Sequence, residues 1–135
     1  TRMPTLSADE QAVLDATKDL LVAIDSGDYA TYEKLCSASM TSFEGETKGH
    51  LAEGLAFHKY YFDMARNAPF QPERPPPARS NIAGAHVRLV GANAAVVAYT
   101  RLVQKGKETI ASQETRILQR VNGTWQHCHF HRSAL

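Results

Sequence analysis

The sequence predicts an α+β fold, in which a cone-shaped, curved antiparallel sheet wraps around a long N-terminal helix, with two further helices. In the first half of the 135-residue chain, apolar residues recur at helical spacing. In the second half the period changes to two, which is typical of strands. Five of the six prolines lie between positions 69 and 77 and predict a stiff extended connector between the two halves.

The first helix has sequence signals at both of its ends. Ser7 followed three residues later by Glu10 is a capping-box pattern, and Gly27 readily adopts the left-handed conformation that ends a helix. Between these ends, the side chains on one helical face are Val13, Thr17, Leu20, Leu21 and Ile24. We therefore expect an amphipathic helix of about five turns that buries this face.

Two shorter helices are predicted in the rest of the first half. Asp28 is expected to cap a helix that carries Tyr29, Tyr32, Leu35 and Cys36. A short extended segment at 40–43 and a glycine-bounded break at 45–49 lead to a third helix over 51–64. Its apolar side chains form two stripes: Leu51, Leu55, His58 and Phe62 on one, and Phe57, Tyr61 and Met64 on the other. A helix with two apolar sides is expected to be covered on both.

Four strands are predicted after the prolines, over 82–89, 94–103, 109–121 and 124–132. Short glycine-containing turns join them, so we expect an antiparallel meander. A bent sheet that a helix closes on one side leaves a hollow. Arg101, Arg116 and Arg132 lie within these otherwise apolar or aromatic strands, and a guanidinium buried in such a hollow needs a partner.

The composition excludes several classes of protein. Fifteen basic and fourteen acidic side chains give a net charge of +1 without any basic run, so nucleic acid is not an expected partner. No apolar run approaches the ~20 residues of a membrane span, and no cofactor motif is present, so we expect neither a membrane nor a cofactor. The isolated Cys36 and Cys128 are expected to be free thiols of a cytoplasmic protein. Residues 1–6 are expected to form a disordered tail, and 7–135 a single domain.

Charge is distributed unevenly along the chain. Residues 1–81 carry 8 basic and 12 acidic side chains (−4), whereas residues 82–135 carry 7 and 2 (+5). The basic half is therefore expected to face either an anionic ligand or the acidic half of a neighbouring subunit.

Several segments of the chain together carry a family resemblance. They are 27–36, which starts with Gly-Asp-Tyr; 41–44, Thr-Ser-Phe-Glu; 53–62, Glu-Gly-Leu-Ala-Phe-His-Lys-Tyr-Tyr-Phe; 98–101, Ala-Tyr-Thr-Arg; 112–116, Ser-Gln-Glu-Thr-Arg; and 125–133, Trp-Gln-His-Cys-His-Phe-His-Arg-Ser. In this order, from about Asp9 to Ala134, they closely resemble the association (hub) domain of calcium/calmodulin-dependent protein kinase II. The chain departs from the family pattern in its proline-rich 69–77 segment, and in Arg66, where a large apolar or aromatic residue is common.

The resemblance implies a nuclear transport factor 2-like fold, which agrees with the cone-shaped sheet. It implies self-association into a large, even-numbered homo-oligomer of two stacked rings, which gathers attached kinase domains or hub-containing kinase subunits. It also implies a polar pocket, lined by Arg101, Arg116 and Arg132 with His58 nearby, that binds small carboxylates. On this interpretation the chain is a hub and catalyses nothing.

The register of the last hairpin decides whether Arg116 and Arg132 share a face of the sheet. A two-residue turn at Asn122-Gly123 places them on opposite faces, and a three-residue turn that includes Val121 places them on one face. Both turns suit Asn-Gly, and the resemblance favours the three-residue turn.

The polar hollow itself has alternative interpretations. Arg116 is expected to hold an internal carboxylate, from Glu114 or Glu44, or the carboxylate of a ligand, and both can hold at once. On the ligand interpretation, Arg116→Ala abolishes carboxylate binding and leaves the fold in place. The rival class is an isomerase or dehydratase of the same cone fold, in which His58 beside Glu114 acts as a general base. The neighbouring arginines would lower the pKa of that carboxyl and weaken it as a base.

Candidate subunit contacts lie on the last strand and on the third helix, which carries Phe62. His127, His129 and His131 alternate along the strand and are expected to project from one face, beside Trp125, against another subunit. Two of these imidazoles could bind zinc, but no further ligand at suitable spacing is evident, so we expect no metal site. Protonation of the cluster below about pH 6.5 would loosen the assembly.

Overall fold

The computed structural model describes residues 5–66 and 78–134, and in these ranges it contains three α-helices and six strands. The helices are α1 (Ala8–Ser26), α2 (Tyr29–Leu35) and α3 (Ala56–Arg66), and a single 3₁₀ turn spans Gly45–Thr47. The strands are β1 (Cys36–Phe43), β2 (Ala52–Glu53), β3 (Arg79–Leu89), β4 (Ala94–Lys105), β5 (Glu108–Val121) and β6 (Thr124–Ala134). The predicted connector at 69–77, and all but the last two residues of the predicted tail at 1–6, lie outside the described ranges.

The six strands form one sheet in the order β2-β1-β6-β5-β4-β3. Strands β3 to β6 pair antiparallel in the predicted meander, which confirms the α+β fold. The sheet is not wholly antiparallel, however, because β1 pairs parallel with β6. A parallel pair requires a long connection between its strands, and here β2, α3 and the other strands of the meander supply it.

Helix α1 has the predicted ends and packs on the sheet. Glu10 donates its amide to the Ser7 hydroxyl and accepts the Ser7 amide, and Gly27 adopts a left-handed φ of +70°. The core between α1 and strands β3–β6 contains Val13, Ala16, Leu21, Val87, Ala95, Val97, Tyr99, Leu118 and Trp125. Each large apolar side chain buried here contributes about 1.5–3 kcal/mol relative to an exposed one.

The residue after α2 differs from its prediction. Asp28 caps α2 as predicted, by accepting a hydrogen bond from the Thr31 amide. Cys36 does not belong to this helix; its backbone is extended, and it begins β1. Its side chain is nevertheless buried beside Tyr32 and Phe130, and burial raises the pKa of its thiol to about 12. The thiol is therefore uncharged and unreactive at neutral pH.

The third helix begins at Ala56, not at residue 51 as the apolar spacing predicts. Residues Ala52–Glu53 instead form β2 and pair with β1, and Gly54 has a φ of +79°, which lies outside the helical region. The backbone at 52–53 obtains sheet hydrogen bonds, and these outweigh the helical spacing of the side chains.

The β5–β6 hairpin has a two-residue turn and a bulge further along β6. Val121 pairs with Thr124, and Asn122-Gly123 has φ values of 53° and 77°, as in a type I′ turn. The register shifts where Ile117 pairs with His129 and Leu118 with His127, so Cys128 is the extra residue of a β-bulge. The prediction of a three-residue turn is therefore wrong.

The bulge at Cys128 decides which side chains of β6 face inward. Beyond it, Phe130 pairs with Arg116 and Arg132 pairs with Glu114, so these four side chains share one face of the sheet. The shared face of Arg116 and Arg132 thus arises from the bulge and not from the turn. The side of the sheet that carries Tyr99, Arg101, Glu114, Arg116, Phe130 and Arg132 is called the inner sheet face below.

Candidate functional site

Glu114 is the centre of a buried ion-pair network on the inner sheet face. Its Oε1 accepts hydrogen bonds from the Tyr99 hydroxyl at 2.6 Å and from Arg116 Nη2 at 3.0 Å. Its Oε2 accepts one from Arg101 Nη1 at 3.2 Å. All four side chains are buried, and burial of charge is tolerated because each charge has a partner. The predicted internal pair of Arg116 with Glu114 is therefore present.

The network fixes the charge of its members. Burial raises the pKa of Glu114, but Arg116 and Arg101 outweigh it and lower that pKa to about 2. Burial lowers the pKa of Arg116, but Tyr99 and Glu114 outweigh it and leave that pKa raised. A carboxylate with a pKa of about 2 is a weak base at neutral pH, so Glu114 serves as a counter-ion. This argues against the interpretation in which Glu114 takes part in proton abstraction.

Arg116 and Arg101 also contact groups other than the Glu114 carboxylate. The Arg116 guanidinium lies over the Phe130 ring, 4.4 Å from its centroid, which is a cation–π contact. Its Nη1 is buried and has no hydrogen-bond partner among the described residues. Arg101 donates from Nε to the Ser80 hydroxyl at 3.0 Å and lies 3.6 Å from Asp25 at the end of α1. The network thus joins β3, β4, β5 and α1.

His58 lies on the opposite side of the hollow, in the first turns of α3. Its Nε2 is 3.6 Å from the Glu44 carboxylate and 3.4 Å from the Ser42 hydroxyl. Its ring lies among the rings of Tyr32 and Phe130, with centroids 5.9 Å and 5.6 Å away. Like Arg116 Nη1, its Nδ1 is buried without a partner among the described residues.

Arg132 differs from the other two arginines because it lies at the rim of the hollow. It donates a hydrogen bond to Glu46, on the 3₁₀ turn, and the two side chains are 29% and 40% exposed. Burial lowers the pKa of Arg132, but the bond to Glu46 outweighs this and leaves the pKa raised. Burial raises the pKa of Glu46, but the hydrogen bond from Arg132 outweighs this and leaves the pKa of Glu46 lowered.

The predicted pocket residues line one cavity of about 220 Å³: Arg101, Arg116, Arg132 and His58. The three glutamates Glu44, Glu46 and Glu114 also line it, so its arginines and glutamates balance in number. A second, outer cavity of about 860 Å³ shares Glu44, Glu46, Arg101 and Arg132 with the first. These shared side chains therefore form the boundary between an inner and an outer chamber.

Tyr99 and Glu46 are members of this site that the sequence analysis did not identify. Tyr99 precedes Arg101 by two positions in one strand, so the alternation of strand side chains was a usable signal that they share a face. Glu46 carries no comparable signal, because its partner Arg132 lies in a distant segment of the chain.

The prediction that three histidines of β6 share one face is wrong, and the bulge at Cys128 is the reason. His127 is 0% and Trp125 6% exposed, and both side chains face α1; Nε2 of His127 is 3.3 Å from the Ala16 carbonyl. His129 and His131 lie on the other side of the sheet. The three histidines therefore do not project from one face, and the side chains of Trp125 and His127 are not available to another subunit.

The side of the sheet that faces away from α1 is called the outer sheet face. On the four central strands its half-buried and exposed side chains include Thr41 and Phe43 on β1; Val96, Ala98, Thr100 and Leu102 on β4; Gln113, Thr115, Ile117 and Gln119 on β5; and His129 and His131 on β6. Asp, Glu, Lys and Arg are absent from these positions. Charge occurs on the two edge strands of this face, where Glu53 of β2 pairs with Thr41 and Arg88 of β3 pairs with Val96. One side-chain hydrogen bond within the chain lies on this face: it joins His129 Nδ1 on β6 and the Thr41 hydroxyl on β1, which are 2.7 Å apart.

One apolar stripe of α3 is exposed in the single chain. Tyr60 is 63% and Met64 52% exposed, and Tyr61 lies between them in sequence at 36%. Phe62 turns the other way and packs on the rings of Tyr29 and Tyr32, with centroids 5.4 Å and 5.0 Å away. Residues 5–66 and 78–134 therefore cover only one of the two apolar sides of α3.

Residues 5–66 and 78–134 contain neither a metal-binding cluster nor a membrane-spanning helix. In these ranges no three His, Cys, Asp or Glu side chains come close enough together to bind a metal ion. Nor does any helix there combine the length and apolar character needed to cross a bilayer.

Solved structures of low sequence identity share this architecture. A nuclear transport factor 2-like protein from Pseudomonas putida matches with a TM-score of 0.77 at 16% identity, over 98% of this chain and 90% of that one. Similarity at this identity establishes the fold, so the chain belongs to the nuclear transport factor 2-like fold class.

Closer relatives narrow the class to one family. The family model described as calcium/calmodulin dependent protein kinase II association domain matches residues 9–135. The hub homology domain from Chlamydomonas reinhardtii has a TM-score of 0.88 and 43% identity, over 96% of this chain and 99% of that one. The association domain from C. elegans has a TM-score of 0.81 and 35% identity, over 94% and 96%. The chain belongs to the calcium/calmodulin-dependent protein kinase II association domain family.

A curated relative is considerably longer than this chain. The delta subunit of calcium/calmodulin-dependent protein kinase type II from Oryctolagus cuniculus is 40% identical over 133 residues, which are 95% of this chain and 24% of the relative. The chain thus spans about a quarter of the length of that curated relative.

Proposed function

We propose that this chain is a non-catalytic oligomerisation hub, which assembles into a closed, even-numbered homo-oligomer of two stacked rings. The observation that carries the proposal is the outer sheet face, which is exposed and holds no formally charged side chain at the positions given above. Depletion of charged residues is typical of the core of a subunit interface. Membership in an association domain family supports the same function.

Two stacked rings require two different contacts. Stacking uses a self-complementary patch related by a two-fold axis, whereas ring closure uses a heterologous contact that repeats around an axis. We assign the stacking contact to the outer sheet face, with His129 and His131, because an uncharged patch can meet its own copy without repulsion.

We assign the ring-closing contact to the exposed side of α3, with Tyr60 and Met64, rather than to Phe62, which packs on Tyr29 and Tyr32 within the chain. The acidic 1–81 half of one subunit would there meet the basic 82–135 half of the next. Because salt screens such attraction, raised ionic strength is expected to loosen lateral pairs more than the uncharged stack.

Kinase domains are the proposed partners of this assembly. The delta-subunit relative is about four times as long as the matched region, so its hub is one part of a larger chain. We propose that the hub holds attached kinase domains, or kinase subunits that contain a hub of their own, around a common centre. Two free cysteines support a reducing, cytoplasmic location.

The inner chamber is proposed to bind small carboxylates. Its volume of about 220 Å³ suits a ligand of a few heavy atoms, because one water occupies about 30 Å³ of liquid. Arg101 and Arg132 both line the boundary of the chambers, and Arg132 is the more accessible donor, with its side chain 29% exposed against 9% for Arg101. Bidentate binding of carboxylates is characteristic of arginine.

The hub proposal is tested by the mass in solution, from light scattering on a sizing column. The expected mass is that of about ten or more subunits, and a monomer or dimer would overturn the proposal. Ile117→Lys places a charge on the outer sheet face and is expected to reduce the mass. Val90→Lys is the matched control, because Val90 is also exposed but lies beyond the end of β3. Equal masses for the two variants would remove the outer sheet face from the interface.

A further inference from the structure

The pocket arginines differ in how firmly internal carboxylates hold them. Arg101 and Arg116 share Glu114, and all three side chains are buried. Arg132 is held by Glu46, and water reaches both of these side chains. An ion pair that water reaches is weaker than a buried, hydrogen-bonded one whose partners cannot be separated without stranding a charge.

Glu46 lies on a backbone segment that is held mainly by its own local bonds. In the 3₁₀ turn, the Thr47 amide and hydroxyl both donate to the Glu44 carbonyl, at 3.0 Å and 2.8 Å. Lys48 and Gly49 follow with φ values of 49° and 87°. Among the described residues, the bond from Arg132 to Glu46 is the only side-chain hydrogen bond that ties residues 45–47 to another element.

Displacement of Glu46 would leave no buried charge unpaired. Its side chain is 40% exposed, so the released carboxylate can be hydrated where it lies. Displacement of Glu114 would instead strand a fully buried carboxylate beside Arg101 and Arg116. A ligand carboxylate therefore gains Arg132 at a much lower cost than the two Arg116 nitrogens that Glu114 holds, Nε and Nη2. Arg116 Nη1, which has no partner among the described residues, is a further donor whose contact with a ligand requires no displacement.

We infer that Glu46 is an internal competitor: it occupies the Arg132 guanidinium in the free protein, and a small carboxylate binds by displacing it and moving the 3₁₀ turn. This inference rests on the proposed carboxylate pocket. Glu46 and Arg132 line both chambers, so their separation also opens the boundary between the outer and the inner chamber.

The test compares binding of butanoate, by isothermal titration, to the assembled wild-type chain, to Glu46→Gln and to Glu53→Gln. Glu53→Gln is the matched control, because it removes one exposed negative charge from β2, outside both chambers. 1-Butanol, which lacks the carboxylate, controls for apolar binding. Glu46→Gln is expected to bind butanoate roughly three- to tenfold more tightly than the other two proteins.

Hydrogen exchange provides a second readout. If Glu46 had only a structural role, butanoate would not change the exchange rates of the amides near it. Butanoate is expected to accelerate exchange of the backbone amides at 45–48 in the wild type, because the turn leaves Arg132. In Glu46→Gln these amides are expected to exchange fast without ligand. Glu46→Asp, which keeps the charge and shortens its reach, replaces Glu46→Gln if that variant does not assemble, and it too is expected to bind more tightly.

The outcomes separate this inference from the function on which it rests. If the wild type binds butanoate and Glu46→Gln binds it no better, the competitor role is wrong and the pocket stands. If neither protein binds butanoate, the proposed pocket is wrong and the inference falls with it. If only Glu46→Gln binds, both are supported, because the competitor then masks the site completely.

Discussion

The two faces of the sheet invert the usual distribution of charge. The inner face carries Arg101, Glu114 and Arg116, which are buried, whereas the central strands β1, β4, β5 and β6 carry no formally charged side chain on the outer face. In a monomeric soluble protein the charged residues are mostly the exposed ones. The inversion teaches that the inner face is organised to hold charge in fixed pairs, and that the outer face is organised to be covered.

The bulge at Cys128 lets Trp125 and His127 on one side of it and Phe130 and Arg132 on the other side all face inward, so a change of strand length that upsets this arrangement is expected to have the largest effect. Insertion of one alanine between His129 and Phe130 would turn Phe130 and Arg132 to the outer face, or shift their register along β5. The insertion is expected to remove most of the ~5–15 kcal/mol that stabilises a typical domain. Thermal unfolding followed by circular dichroism is the measurement.

Deletion of Cys128 is the control for that insertion, since it removes the extra residue and leaves the pairs Ile117–His129 and Leu118–His127 in continuous register. The same side chains then face inward, so its melting temperature is expected to lie much nearer that of the wild type. A deletion variant that melts as low as the insertion variant would contradict the assignment of Cys128 as the extra residue.

Removal of one inner charge is expected to have the next largest effect. Arg116→Ala deprives Glu114 of its closest cation and is expected to cost about 3–5 kcal/mol, because a buried charge loses its partner. This replaces the expectation from sequence that the substitution leaves the fold in place. Urea unfolding at a fixed subunit concentration measures the loss, with Arg88→Ala, at an exposed arginine, as the control. Equal midpoints would show that the network contributes little.

Acid is expected to act through His127 on the inner side. Burial and the nearby Arg116 lower the pKa of His127 to about 3, so the neutral imidazole is the folded form. The stability that this provides is complete above the unfolded pKa of about 6.5, and about 1.4 kcal/mol is lost for each pH unit below it. Between pH 6.5 and 5, Glu114, with a pKa of about 2, remains charged and does not contribute.

The measurement for His127 is the urea midpoint between pH 6.5 and 5. His131→Gln, at an exposed position of the outer face, is expected to keep the wild-type slope, whereas His127→Gln is expected to flatten it. If His131→Gln flattens the slope and His127→Gln does not, the loss of stability in acid arises on the outer face and the role of His127 is wrong.

The smallest effect on stability is expected at the rim. Arg132→Gln breaks a partly exposed pair and is expected to cost less than about 1 kcal/mol. The same substitution is expected to weaken butanoate binding by more than roughly tenfold, because the ligand loses its charge-assisted donor. Calorimetric titration and urea unfolding, with Arg88→Gln as control, separate the two effects. A large loss of stability would place Arg132 with the inner network.

The parts of the fold with local signals could be predicted from the sequence. The Ser7–Glu10 box, the left-handed Gly27 and the Asn122-Gly123 turn each depend on a few adjacent residues, and the structure has all of them. The bulge at Cys128 has no such signal, because neither glycine nor proline marks it and it is fixed by pairing on both sides. The predicted start of α3 was wrong for the same reason, because β2 exists only through its pairing with another strand, β1.

The candidate site divides along the same line. Strand periodicity and the resemblance placed Arg101, Arg116 and His58 in one hollow, and the structure brings them to one cavity. Neither could show that Glu46 holds Arg132, because that pair forms across segments far apart in the chain. Pairwise chemistry between such segments is decided by the assembled fold.

The position of β6 has a consequence for how the chain is made. It is the last of the six strands along the sequence, yet it lies in the middle of the sheet between β1 and β5. Until the ribosome has released β6, β1 and β5 each present an open edge, which is a template for aggregation. The sheet, the pocket and the outer face therefore form together, after translation of this strand, and under the proposed hub function a growing chain joins the assembly only when its own synthesis has passed β6.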